Sequence, residues 1–307
     1  MSEIYDVIIL GAGPAGLAAG LYAGRSRLNV LIIEKGQDGG QIAITDEIEN
    51  YPGQIVEGES GPSLIARMTE QAEKFGAKRV SDMIKEVELE GEVKVLKSEK
   101  NEYRGKNVII ATGAHARPIG CKGEGQFRGK GVSYCATCDG AFFRNKVTAV
   151  VGGGNVALED ALFLSRMCEK VYLIHRRDEF RGAKILQDEV KKNDKIEILW
   201  NTIVTKIDGD EVVEGLHIQD VDNHVDKLLD VDGIFIAVGT KPASELLSGK
   251  LSTDEKGYII AGEDGVTNIP GIFAAGDGRS KNLRQVVTAV SDGANCVYSV
   301  ERYLQNA

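Results

Sequence analysis

Apolar residues in this chain cluster in short, almost unbroken runs. Tyr5–Leu10 (YDVIIL), Asn29–Ile33, Lys146–Val151 (KVTAVV) and Lys170–Ile174 (KVYLI) are each five or six residues long. Such runs predict strands buried on both faces, as in a parallel sheet. Two stretches rich in small and apolar residues, LAAGLYAGR at 17–25 and LEDALFLSRM at 158–167, predict helices. The segments EVKVLKS at 92–98 and EYRGKNVII at 102–110 predict two further strands joined by a turn. Between strand and helix stands a glycine loop each time, GAGPAG at 11–16 and GGGNVA at 152–157.

The order strand, glycine loop, helix, strand is therefore written twice. From Gly11 to Glu34 and from Gly152 to His175 the spacing is the same, 23 residues. One such loop is weak evidence. Two framed copies with one spacing predict two dinucleotide sites, each with its pyrophosphate on a helix N-terminus. The first copy ends on an acid, Glu34, suited to a ribose hydroxyl. The second ends in HRRDEFR, where Arg176, Arg177 and Arg181 favour a phosphate on that ribose, hence NADP over NAD. The plainer alternative is a solvated basic face after a strand. Two different nucleotides on one chain suggest electron transfer between them.

The 307 residues predict two domains. A net charge of −9 with no basic run argues against a nucleic-acid partner. The N-terminus carries Glu3 and Asp6 and runs straight into a strand, unlike a signal peptide, and no apolar run approaches a membrane span. A soluble, cytoplasmic protein is expected.

Of five cysteines, Cys135 and Cys138 form a CxxC in SYCATCDG. A structural zinc site wants four ligands. Here there is no second pair, and the four histidines (115, 175, 217, 224) fall outside ligand spacing, so no metal is expected. A redox dithiol is the favoured reading, two inert thiols the alternative. Cys121, Cys168 and Cys296 are expected to pack rather than react.

The motifs GAGPAG, GGQI at 39–42, EIENYPG at 47–53, ATGAHARP at 111–118, CATCDG at 135–140, HRRDEFR at 175–181, and GIFAAGD followed by RQVVTAVSDGA (271–294) run through the whole chain. In them the chain closely resembles the low-molecular-weight, bacterial-type thioredoxin reductases. That resemblance implies an α/β fold of two Rossmann-like, doubly wound three-layer (ββα) nucleotide-binding domains. An NADPH domain at 114–243 would be inserted into an FAD domain at 1–113 and 244–307. FAD would be held by Gly11, Gly13, Pro14, Ala15, Gly16, Glu34, Lys35, Gly39, Gly40, Gln41 and Asn50. Gly113, Gly276, Asp277, Arg284, Gln285 and Val286 would complete that site, the last three beginning a C-terminal helix aimed at the flavin. NADPH would meet Gly152, Gly154, Asn155, Val156, His175, Arg176, Arg177, Arg181 and Gly239.

The same resemblance implies that electrons pass from NADPH to FAD, then to a Cys135–Cys138 disulfide, and finally to thioredoxin. Cys138 would face the flavin and Cys135 would attack the substrate. Asp139 would protonate a departing thiolate; from sequence alone it could equally be a turn residue before Gly140. A homodimer is implied as well. The second loop departs from the family's usual GGGDSA, since Asn155 lacks a charge and Val156 a hydroxyl, and Gly182 stands where Ala is commoner. Hydride transfer needs reacting atoms about 3–3.5 Å apart. Nicotinamide and disulfide both lie on the inserted domain, so that domain is expected to rotate on its two linkers. Rival readings are a ferredoxin-fed reductase, a dithiol oxidase and a non-enzymatic nucleotide- or metal-binding module.

Overall fold

A computed structural model describes residues 3–45, 48, 50–55 and 58–306. Glu47 and Glu49 of the EIENYPG motif lie outside the described residues. In chain order the elements begin with β1 (Ile4–Leu10), α1 (Pro14–Arg25), β2 (Val30–Glu34), α2 (Gly61–Lys74), β3 (Lys78–Ser81), β4 (Glu86–Glu88), β5 (Lys94–Lys97), β6 (Glu102–Ile110) and β7 (Ala114–Ala116). Then come β8 (Val132–Ser133), α3 (Ala136–Asp139), β9 (Val147–Val151), α4 (Asn155–Ser165), β10 (Lys170–Ile174), α5 (Lys184–Lys192) and β11 (Ile196–Leu199). The chain closes with β12 (Thr202–Asp208), β13 (Gly215–Asp220), β14 (Asp226–Asp230), β15 (Gly233–Ile236), β16 (Thr240–Pro242), β17 (Ile272–Ala274) and α6 (Val286–Asn306).

These elements form two compact units, Met1–His115 with Lys241–Ala307, and Ala116–Thr240. The two crossings between them, β7 and β16, pair with each other as a small sheet.

The first unit is built on a sheet of order β3-β2-β1-β6-β5-β4, with β17 also pairing with β6. β1 runs parallel to β2 and β6, and β17 runs parallel to β6. β6 is long enough to serve two neighbours on one side: Glu102–Gly105 meet β5 antiparallel, and Val108–Ile110 meet β17. Val7, Ile9, Val30 and Ile32 face a core with α1 and α6; Ile8, Leu31 and Ile33 face a second core on the other side of the sheet. Burial on both faces accounts for the unbroken apolar runs.

Small residues let α1 lie close against α6: a Cβ on Gly293 would stand 2.2 Å from the Ala15 carbonyl oxygen. α6 starts at Val286. Arg284 and Gln285 precede it, which corrects the expectation that all three begin the helix. Gln285 fills the cap position, its carbonyl accepting from Ala289 N–H at 3.0 Å.

The second unit has an all-parallel sheet of order β11-β10-β9-β15-β8 and an antiparallel meander β12-β13-β14. α4 packs Ala157, Leu158, Ala161 and Leu164 into the core between sheet and helices. Gly182 has a local reason: a Cβ there would stand 2.5 Å from Leu158 Cδ1.

Candidate active site

The first glycine loop turns where β1 meets α1. Gly11 has φ +110°, and a Cβ on it would stand 2.4 Å from the Ala111 carbonyl oxygen; one on Gly16 would stand 1.9 Å from the Gly11 carbonyl oxygen. Only glycine fits either place. Pro14, Ala15 and Gly16 already belong to α1, whose cap residue Gly13 supplies no side-chain acceptor. No side chain caps its first N–H groups, which leaves them for an anion, and nothing lies within 4 Å of a Cβ at Gly13.

Glu34 turns back on this loop. Its Oε2 accepts from Ala12 N–H at 2.8 Å and its Oε1 from Gly36 N–H at 3.1 Å. Each carboxylate oxygen retains a lone pair for a further donor. Lys35 beside it is exposed, as is Gly40, whereas Gly39 is buried. Gln41 Nε2 donates to the Ala114 carbonyl at 2.6 Å, and Asn50 Nδ2 to Gln285 Oε1 at 3.1 Å. The second contact joins the two chain halves of the unit.

Among the described residues of this unit six buried polar atoms have no hydrogen-bond partner, and two of them flank the loop: Asp277 Oδ1, just after Gly276, which packs on Ala15, and Thr112 Oγ1, two residues past β6, whose Cα stands 3.3 Å from a Cβ placed on Gly11. An unpaired buried group of this kind costs about 1–3 kcal/mol. Burial pushes the Asp277 carboxyl upward, opposed by Lys281 and Arg284. Gly113 next to Thr112 has φ +70°, with nothing within 4 Å of a Cβ placed there. Orphaned acceptors beside an uncapped helix suit a dinucleotide with hydroxyl-bearing and phosphate groups, so these residues fit FAD. Thr112 escaped sequence reasoning because an Ala-Thr-Gly triplet carries no spacing rule of its own.

Arg284 stacks its guanidinium over the Tyr258 ring at 4.0 Å and donates through Nε to the Asp277 carbonyl at 3.3 Å. Gly276 has φ +74° and packs on Ala15. Its N–H donates to Asp292 Oδ2 at 2.9 Å; Arg279 and Lys281 donate to the same carboxylate. This buried cluster holds the Asp277 turn and was not anticipated.

In the second unit the cap of α4 is Gly154, again without a side-chain acceptor and with nothing within 4 Å of a Cβ. Gly152 (φ +154°) packs on the Ala237 carbonyl. Asn155 and Val156 are helical and exposed, and Asn155 Oδ1 accepts from Ala183 N–H at 2.7 Å. Arg181 and Gly182 N–H both donate to the Gly153 carbonyl, tying the HRRDEFR segment to the loop. Arg176, Arg177 and Arg181 are exposed around it, and Gly239 is exposed with φ +108°. Open helix end and guanidiniums together fit a phosphorylated dinucleotide.

His175 is buried, 5% exposed, with Nε2 2.9 Å from the Glu179 carbonyl. A Cβ on Gly153 would fall 2.2 Å from its ring. Burial pushes its pKa down; Arg181, Arg177 and Arg176 add to this, and the Glu179 carbonyl opposes it. Its ring is thus a neutral support beneath the loop at neutral pH. The two copies match in an unforeseen way: the residue 23 positions after the first glycine grips the loop's second residue, Glu34 gripping Ala12 and His175 pressing on Gly153. The bulkier imidazole is why the second copy needs glycine where the first has Ala12.

The redox turn follows β8. Cys135 and Cys138 are joined in a disulfide, Cα atoms 5.3 Å apart. Both Cys138 and Asp139 N–H groups donate to the Cys135 carbonyl, at 3.2 and 3.1 Å. Asp139 is the last residue of α3, and its Oδ2 accepts from Ser133 Oγ at 2.6 Å. Both sulfur-bearing residues are partly exposed. The other thiols are poor nucleophiles. Burial pushes Cys121 to about 11, with help from Glu124, and Cys296 to about 12; burial raises Cys168 too. Among the described residues no cluster of three or more His, Cys, Asp or Glu could hold a metal ion.

Two glycine-loop units and a closable CxxC define a pyridine-nucleotide dithiol oxidoreductase. Comparison narrows this. The Pyridine nucleotide-disulphide oxidoreductase family matches residues 5–293. A thioredoxin reductase of Peptoclostridium acidaminophilum is 47% identical, covering 99% of this chain and 98% of its own. One from Listeria monocytogenes is 44% identical over 99% and 95%. Among solved structures, thioredoxin reductase from Streptococcus pyogenes has a TM-score of 0.94 at 44% identity over 99% of both chains. That of Lactococcus lactis, described as in the FR conformation, scores 0.68 at 41% identity over 99% and 100%. The chain belongs to the pyridine nucleotide-disulphide oxidoreductases, and within them to the thioredoxin reductase family.

Proposed function

We propose that this protein reduces the disulfide of thioredoxin at the expense of NADPH. The reading rests on one observation above all: a disulfide between Cys135 and Cys138 with Asp139 anchored beside it, in a chain that carries two open glycine loops. FAD when bound supplies a two-electron relay between nicotinamide and disulfide. The loop at Gly11–Gly16, the Glu34 and Asp277 carboxylates and the Thr112 hydroxyl hold it. Arg176, Arg177 and Arg181 hold the ribose phosphate of NADPH, with His175 keeping the second loop in shape. Cys135 attacks the substrate disulfide, and Asp139 carries a proton for the departing sulfur. The unit carrying the CxxC also carries the NADPH loop, so it turns on β7 and β16 between half-reactions. We place the protein in the cytoplasm as a homodimer. Three further cysteines outside any disulfide suit a reducing compartment, and no helix among the described residues is long and apolar enough to cross a membrane.

Anaerobic titration tests the whole reading. Purified protein is expected to be yellow, to bleach with NADPH, and to recover colour on adding oxidised thioredoxin. A colourless preparation, or one bleached by reduced ferredoxin and not by NADPH, overturns it. The phosphate-binding role of the arginines has its own test. Arg176→Ala with Arg177→Ala is expected to lower kcat/KM for NADPH about 100-fold, as loss of two charge-assisted contacts of about 1.5 kcal/mol each implies. The value for NADH should change less than about threefold. Equal losses for both nucleotides would show that these side chains do not read the phosphate.

A further inference from the structure

Ser133 ends β8, and its backbone is fixed by pairing with Phe235 of β15. It is 5% exposed. Its hydroxyl lies between the two ends of the redox turn. Oγ donates to Asp139 Oδ2 at 2.6 Å and accepts from Cys135 N–H at 3.1 Å. The Cys135 carbonyl, a second acceptor in reach, is 3.3 Å away. One hydroxyl has one proton. The short contact is the charge-assisted one, in the range of O–H···O⁻ bonds, so the proton goes to the carboxylate. The turn is thus closed twice: covalently through the two sulfurs, and by Ser133 from the Cys135 amide to the Asp139 carboxylate.

We propose that Ser133 is a positioning residue for disulfide exchange, acting through Asp139. This rests on the reading of Asp139 as the proton donor of the CxxC. When an incoming thiolate attacks one sulfur of the Cys135–Cys138 bond, a new S–S bond forms and the old one breaks. The displaced cysteine sulfur leaves with the electron pair and takes a proton that the Asp139 carboxylate has first accepted from water or from the reductant's thiol, so that Asp139 ends the step ionised as it began. A second thiolate of the reductant then displaces the remaining cysteine sulfur, so the protein gains two electrons and the reductant closes its own disulfide. Asp139 ends a helix of one turn, and the 2.6 Å bond from the Ser133 hydroxyl fixes the direction of its Oδ2. Pre-set orientation of this kind carries much of an acid's benefit.

The test uses the intact, flavin-loaded protein and dithiothreitol, with alkylation and mass spectrometry to follow opening of the Cys135–Cys138 bond. It needs neither NADPH nor thioredoxin, so its outcome stands apart from the substrate assignment. Ser133→Ala is expected to slow opening about 10- to 100-fold, with flavin content and melting temperature retained. Ser133→Thr, which keeps the hydroxyl, should recover most of the rate. In an Asp139→Asn background, Ser133→Ala should change the rate less than about twofold, because the group it positions is already gone. A role in structure alone would slow both backgrounds by the same factor. Equal factors, or a wild-type rate in Ser133→Ala, overturn the proposal.

Discussion

Cys135→Ser and Cys138→Ser are each expected to lower NADPH-dependent thioredoxin reduction by about 10³-fold or more, while the protein stays folded and yellow. The reason is electronic. A serine hydroxyl can neither form the reversible bond to its partner sulfur nor attack a disulfide at neutral pH, and the two cysteines act as one unit, so losing either removes the path. Folding is insulated from the change. Both residues are partly exposed, and the hydrogen bonds that shape the turn use the Cys135 backbone amide and carbonyl, the Ser133 hydroxyl and the Asp139 carboxylate, all of which the serine variants retain. Stopped-flow spectroscopy separates the halves of the reaction: bleaching by NADPH should survive in both variants, and recovery with thioredoxin should not. A single variant that retains more than about a tenth of the wild-type turnover would end the dithiol mechanism. Loss of bleaching in either would instead mean that the change had reached the nucleotide sites.

What the sequence disclosed was local chemistry. Glycine loops, their framing strands and CATCDG are contiguous, and each carries its constraint in its own residues: backbone against backbone at Gly11 and Gly16, three-residue spacing at Cys135 and Cys138. Side-chain direction was not legible. Spacing located Glu34 and His175 at equivalent places, but not that one takes the Ala12 N–H and the other lies under Gly153. Ser133 gave no signal, since a serine two residues before a cysteine is commonplace and only the turn beyond it creates its partners. The start of α6 was misjudged because Arg284 and Gln285 have no helix-breaking character, and the partners of Arg284, the Tyr258 ring and the Asp277 carbonyl, are not its sequence neighbours. The Asp292 cluster was missed for a related reason. Its members read as ordinary surface charges until the fold removes them from water.

That cluster sets the second large effect. Asp292 on α6 is 4% exposed. Arg279 donates to it from Nε at 2.8 Å and Nη2 at 2.6 Å, Lys281 from Nζ at 2.8 Å, and Gly276 N–H at 2.9 Å. Burial pushes its carboxyl up, but Arg279 and Lys281 outweigh this and leave it below the usual carboxylate range. Asp292→Asn leaves two cations buried without their anion. Breaking a buried pair from one side costs about 3–5 kcal/mol, which for a unit of this size is about 10 °C of melting temperature. Lys281→Met is the control: it leaves the two-pronged Arg279 pair intact and is expected to cost less than about 1 kcal/mol. The sign with pH follows from linkage. A carboxyl held below its unfolded value of about 3.9 contributes stability that is present above that pH and fades as pH falls towards the folded value. The gap between wild type and Asp292→Asn should therefore be constant near neutrality and narrow below about pH 4. Asp292 also fixes the Gly276 amide ahead of Asp277, so the variant should release flavin more readily as well. A variant that melts within about 2 °C of wild type would mean that the two cations find water or other partners, and that this turn does not depend on Asp292.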